Sequence, residues 1–267
     1  MRREEKFNDL GGVRHPFTLD HYRDIIGSAL RNGYAFSLFT EKPLGKMVYL
    51  RHDVDNCIDS AYTIAGIERE LDIRSTYLLM IRSENYNVLA GNSIRKIREI
   101  NAMGHEIGLH FTLEEHEEHL GVADEHDLIE LIRQDAHILS NILDMEIRVF
   151  SFHNPTGKSQ YQVTVPGLIN TYSTEFFNDL KYISESNMIW RERCPCLLFE
   201  EGEYDRFQVL IHPLSYNDDL KSDRDVLLYF LYTKVLRLKE INEIQNATLS
   251  KEGVSLAEIA NYFLKRQ

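Results

Sequence analysis

Five residues of this chain have types and positions suited to shared chemistry: Asp53, Asp55, His110, His153 and His212. Each stands where a short apolar run ends. Asp53 and Asp55 lie in Arg51-His52-Asp53-Val54-Asp55, directly after the run from Met47 to Leu50. His110 closes the stretch Gly104-His105-Glu106-Ile107-Gly108-Leu109-His110, His153 precedes Asn154-Pro155, and His212 precedes Pro213. Carboxylates two residues apart on an extended segment point the same way, so one can bind a metal while the other acts as a base. The same Asp-x-Asp-Asn run also reads as an Asx-turn or a helix cap. A single histidine at a strand end also reads as a hydrogen-bonded core residue. Glu114 falls four residues after His110 and would share its face on a helix, with His116 two residues further on. Among Glu115, Glu117 and Glu118, Glu114 equally fits a solvated acidic face.

The elements that would carry these residues alternate. Thr18 is placed to cap a helix running to about Asn32, with Leu19, Tyr22, Ile26 and Leu30 on one face. Strands are expected at 47–50, 75–81, 105–111, 147–152, 168–172, 182–184 and 207–211. Helices are expected at 58–71, 94–103, over the 128–143 region, at 226–238 and at 256–265. Leu128, Ile132, Ala136, Leu139 and Leu143 show the three- and four-residue spacing of a buried helical stripe. Strands alternating with helices predict βαβ units and a parallel sheet. Six or seven such strands over this length fit an α/β fold with a closed or nearly closed barrel, an open doubly wound sheet being the other arrangement. In such barrels reactive groups stand at the C-terminal strand ends, where all five residues fall. No Gly-rich phosphate loop follows any strand, so no nucleotide site is indicated.

Composition narrows the classes. The chain has 267 residues, 30 Lys+Arg against 42 Asp+Glu, and a net charge of −12. That balance argues against nucleic acid as a partner, because phosphate binding needs clustered cations. No apolar stretch approaches the ~20 residues of a membrane span. The N-terminus, MRREEKFNDLGG, has basic residues with no apolar region behind them, so the expectation is no secretory signal and a cytoplasmic location. Three cysteines make no disulfide framework, and Cys194 with Cys196 is too few for a cysteine-based zinc site. Without repeats or linkers, one domain over 1–267 is expected, with an extension at 1–17 and a helical segment at 239–267.

RHDVD, GHEIGLHF, FSFHNP and VLIHP, in that order, resemble the polysaccharide deacetylase superfamily (carbohydrate esterase family 4, the NodB-homology fold). The resemblance spans roughly 17–213 and is strongest to the deacetylases encoded with bacterial O-antigen and surface-polysaccharide genes. It implies a distorted (β/α) barrel of about seven strands and metal-dependent removal of acetyl groups from N-acetylated sugars. Residue by residue, it implies Asp53 as catalytic base, Asp55 and His110 as metal ligands, and His212 as general acid. The substrate it implies is an N-acetylated nucleotide sugar or lipid-linked glycan precursor.

Three positions depart from the family pattern. Glu114 stands where the second metal histidine usually falls. Ser151 and its neighbours replace the arginine that braces the base, and His52 replaces the usual phenylalanine. His153 is therefore the first candidate for the third ligand, with Glu114 and His116 as alternatives, and Arg191 or Arg193 are candidates for the brace. Carboxylate and imidazole donors together favour zinc. The departures also fit a non-catalytic, sugar-binding or scaffolding barrel, and an amidohydrolase of a non-sugar small molecule would use nearly the same residues.

Overall fold

The computed structural model describes residues 16–42, 44–113, 125–155, 159–218 and 222–245, with a few positions beyond. Glu114 and His116 lie outside the described residues, as does most of the helix expected at 256–265.

The run around Met47 forms the central strand and sets the layout. It continues as a strand through Arg51–Val54, further than its apolar part, so Asp53 lies within β2 (Met47–Val54) and Asp55 just past it. Around it the chain alternates: α1 (Leu19–Arg31), β1 (Ala35–Phe36), β2, α2 (Ile58–Glu70), β3 (Thr76–Leu79), α3 (Gly91–Ala102), β4 (Glu106–Phe111), α4 (Glu125–Leu143), β5 (Val149–Phe152), β6 (Ile169–Asn170), α5 (Thr174–Phe177), β7 (Lys181–Ser186), β8 (Ile189–Trp190), α6 (Pro195–Glu201) and β9 (Arg206–Ile211). The sheet order is β6-β5-β4-β3-β2-β9-β7-β8, with β1 also on β2. Every pairing is parallel except that of β7 with β8.

The sheet curls upon itself. In a flat sheet β6 and β9, five spacings apart, would be separated by about 24 Å. Instead Gln208 Nε2 on β9 donates to the carbonyl of Thr171, which follows β6, at 3.0 Å. Among the described residues no ladder joins β6 to β8, so the barrel is distorted and open along that seam.

Strand alternation gives the curl two faces. Phe39, Met47, Tyr49, Leu78, Val149 and Phe176 pack into an apolar floor inside it. Val48, Leu50 and Val54 point the other way and join the larger core beneath the helices. The interior is tight at Gly108: a Cβ there would lie 2.5 Å from Leu78 Cδ2 and 2.6 Å from the Val149 carbonyl oxygen.

His52 also faces outward, which explains why it can replace an aromatic residue. Its ring stacks on Tyr77, and its Nε2 lies 2.8 Å from the buried Glu68 carboxylate. Tyr22, Tyr77 and Ser75 donate their hydroxyls to the same carboxylate at 2.6, 2.5 and 2.7 Å. Burial would push Glu68 up. The charge and hydrogen bond of His52, then His105 and Tyr22, outweigh it and bring Glu68 down to about 2.

Nine strands are described against the seven or so expected, the additional ones being the two-residue β1 and β8. The chain divides into two compact units, Met1–Asp218 and Asp219–Gln267. The second contains α7 (Asp223–Gln245), which runs further in both directions than the expected 226–238. Among the described residues no helix is long and apolar enough to cross a membrane.

A carboxyl held at about 2 when folded, against an ordinary 4.5, stabilises the fold above pH 4.5. That contribution is lost as pH falls from about 4.5 through about 2. Glu68→Gln removes the charge and two acceptor sites, and is expected to cost on the order of 3 kcal/mol by urea unfolding at pH 7. It should also flatten the acid limb of the stability curve. An unchanged limb would contradict this account of Glu68.

Candidate metal centre

β2 presents Arg51 and Asp53 on its inner face, and Asp55 follows at the strand's end. β4 contributes His110, the residue after β5 is His153, and the residue after β9 is His212. The parallel register places His110 beside Ser151, two residues before His153 on the same face. All five residues singled out in the sequence converge at this end of the sheet.

The tightest part is a three-donor cluster. Asp55 Oδ1 lies 3.1 Å from His110 Nε2 and 3.6 Å from His153 Nδ1, and the two imidazole nitrogens are 3.3 Å apart. These three side chains have the spacing of a metal-binding group. Glu114 and His116, the alternative third ligands, cannot be placed because they lie outside the described residues. Ser151 takes up the other side of the His110 ring, with its Oγ 2.6 Å from Nδ1. When Nδ1 donates to Ser151, Nε2 keeps its lone pair toward Asp55, the orientation a metal ligand needs.

The donor set fits a divalent cation on an observation of its own. Asp55 Oδ1 is buried without a hydrogen-bond partner, although two imidazoles crowd it. Such a carboxylate oxygen is costly unless a cation completes it. Burial alone would raise the Asp55 carboxyl. His110, His153 and His212 outweigh burial and hold it well below the usual carboxylate range.

Two further groups flank the cluster, each with a buried partner. Asp53 Oδ2 lies 3.7 Å from His110 Nε2. Arg51 grips Asp53 with two parallel bonds: Nε donates to Oδ1 at 3.1 Å and Nη2 to Oδ2 at 2.8 Å. Its other donors go to Tyr172 Oη at 2.8 Å, Thr171 Oγ1 at 2.6 Å and Gln208 Oε1 at 3.1 Å. All five N–H groups of the guanidinium therefore have acceptors. Burial acts to raise Asp53, and the charges of Arg51 and His110 more than offset it, so the carboxylate stays ionised.

On the other flank, His212 Nε2 lies 3.5 Å from Asp55 Oδ2. Its Nδ1 lies 3.1 Å from Glu185 Oε1, which also accepts the His212 backbone N–H at 2.6 Å. Ser215 Oγ donates to the other Glu185 oxygen at 3.2 Å. Burial would lower His212. The hydrogen bond and charge of Glu185, then the charges of Asp55 and Asp53, reverse this and raise it to about 9.

The brace is the main correction to the sequence reading. Arg191 is exposed, with its backbone N–H on the Ser184 carbonyl, and Arg193 pairs with Glu201 at 2.8 Å. The residue that grips Asp53 is Arg51. Its signal was present in RHDVD: on a strand, residues two apart share a face. Glu185 had no such signal, because nothing in Tyr182-Ile183-Ser184-Glu185-Ser186 marks the glutamate as buried.

No family model matches the chain, and no curated protein matches it. Solved structures of carbohydrate esterase family 4 proteins are similar in fold at low identity. The Streptococcus pyogenes deacetylase PplD, in complex with acetate, is 12% identical, with a TM-score of 0.44 over 84% of this chain and 92% of its own. The Bacillus cereus polysaccharide deacetylase Bc1974 is 13% identical, with a TM-score of 0.41 over 72% and 88%. BA3943 from Bacillus anthracis, a pseudoenzyme of that family, is 14% identical, with a TM-score of 0.39 over 74% and 63%. Enzymes and a pseudoenzyme score alike, so such likeness does not bear on activity.

Arg51→Met leaves the Asp53 carboxylate buried and unpaired, and is expected to cost about 3–5 kcal/mol. Adding Asp53→Asn should recover at least about 1 kcal/mol of that loss, which a urea-unfolding double-mutant cycle would read. Strict additivity of the two substitutions would contradict the pairing.

Proposed function

We propose that this chain is a divalent-metal-dependent deacetylase. It removes the acetyl group from an N-acetylated sugar, carried as a nucleotide sugar or lipid-linked precursor for surface polysaccharide. The observation that carries the reading is the three-donor cluster Asp55, His110 and His153 held between a braced carboxylate and a braced imidazole. The carboxylate and imidazole donors favour zinc.

Asp55, His110 and His153 would hold the ion. When bound, it supplies Lewis-acid polarisation of the acetyl carbonyl and a water acidified toward a pKa of ~7. The chain's own groups do the rest. Asp53, ionised and fixed by the Arg51 fork, orients the attacking water and takes its proton at Oδ2. His212 holds a proton on Nε2 while Nδ1 is engaged by Glu185. It gives that proton to the departing nitrogen, which would otherwise leave as a poor amide anion. A C–O bond forms as the C–N bond breaks, and acetate and an amine result. Asp53 is almost fully buried, whereas His153 and His212 are about one quarter exposed, so substrate reaches the cluster from their side.

The missing motif arginine and the altered metal motif also fit a non-catalytic barrel. Arg51 in the bracing position and His153 beside Asp55 and His110 support the catalytic reading.

The test is acetate release from a panel of N-acetylated nucleotide sugars and lipid-linked precursors, read together with metal content. Asp53→Asn should keep the metal and lose about 10²–10⁴ in kcat, the range of a lost general base. His110→Ala should lose the metal as well. Full turnover in Asp53→Asn, or unchanged metal in His110→Ala, would overturn the assignments.

A further inference from the structure

A second group of donors lies away from this centre. Cys194 and Cys196 flank Pro195 at the start of α6, and His21 comes from the first turn of α1. Cys196 Sγ lies 2.9 Å from Cys194 Sγ, and His21 Nε2 lies 3.3 Å from Cys194 Sγ. None of the three cysteines is in a disulfide. Both thiols of the group are buried, and His21 is 9% exposed. One donor atom from each residue fits within 4.8 Å of the other two.

We propose that His21, Cys194 and Cys196 form a second metal site that takes a thiophilic d¹⁰ divalent cation, zinc in the cell, and pins α1 to α6. Sequence spacing hides this site, because its third donor lies 173 residues before Cys194.

Three physical points carry it. Two thiolates and a neutral imidazole sum to −2 and neutralise the ion, so the filled site buries no net charge. Soft sulfur donors with one imidazole select zinc over magnesium or calcium. A disulfide would join the two sulfurs and leave the His21 imidazole outside the bond, whereas a metal engages all three donors. Binding releases the thiol protons to solvent and changes no oxidation state.

Zinc sites with three protein ligands keep a fourth position for water. The ion would join elements that already touch: Ser28 Oγ on α1 donates to the Cys196 carbonyl at 3.0 Å.

The test uses the full-length wild-type protein titrated with Cd²⁺ in a non-thiol reductant. The candidate catalytic centre contains no sulfur, so thiolate-to-cadmium charge-transfer absorption reports this site alone. The expected result is a band that saturates near one Cd²⁺ per chain and is reversed by Zn²⁺. Cys57→Ser should leave it intact, and Cys194→Ser with Cys196→Ser should abolish it. His21→Ala should weaken binding by more than the roughly 10–100-fold typical of losing a hydrogen bond to a ligand. If the double serine variant does not fold, Zn²⁺ protection of Cys194 and Cys196 from alkylation, mapped by peptide mass on the wild-type chain, answers the same question. Absence of the band, a band that persists without the two cysteines, alkylation unaffected by Zn²⁺, or a Cys194–Cys196 disulfide that resists the reductant would overturn the proposal.

Discussion

A guanidinium with no solvent exposure lies inside the curled sheet, and the candidate centre depends on how it is satisfied. Arg51 could not be buried alone, since a lone charge in that position costs several kcal/mol. Asp53 neutralises it, and Tyr172, Thr171 and Gln208 take its remaining donors. These acceptors come from β2, β9 and the segment after β6. One side chain therefore ties β2 and β9 to the segment after β6 across the inside of the curl. The same contacts that hold the curl also fix the carboxylate beside the three-donor cluster.

The interior is built in layers that follow from strand alternation. An apolar floor of Phe39, Met47, Tyr49, Leu78, Val149 and Phe176 excludes water from below. Above it comes the Arg51 network, and above that the titratable residues at the strand ends. Each reactive group is held from behind by a buried partner: Asp53 by Arg51, His110 by Ser151, His212 by Glu185. Polar groups so supported keep their orientation, as a site for one ion and one small acyl group requires. The cost is a set of buried charges whose loss on either side leaves the partner stranded. The Glu68 network on the outer face repeats this arrangement beneath the helices.

Much of this was legible in the sequence, for identifiable reasons. Apolar runs followed by Asp or His marked the strand ends, and the long stripe from Leu128 to Leu143 marked its helix, because period and polarity are local signals. The length of β2 was not legible. Arg51, His52 and Asp53 look like the end of a strand, and only tertiary partners on both faces keep them within it. Arg51 was therefore overlooked, although it stands two residues before the carboxylate it grips. Glu185 and the meeting of His21 with Cys194 depend on chain reversals far apart in sequence, which spacing does not encode. The short β1 and β8 exist because neighbouring strands template them. The seven-residue α6 did carry a signal, with Pro195 at its first position and Gly202 in a left-handed conformation at its end.

The most direct measurement is anomalous diffraction at the zinc edge from crystals grown with Zn²⁺. The account requires a peak within about 2.0–2.2 Å of Asp55 Oδ1, His110 Nε2 and His153 Nδ1 together. A fully occupied map with density at other sites and none among these three atoms would contradict it.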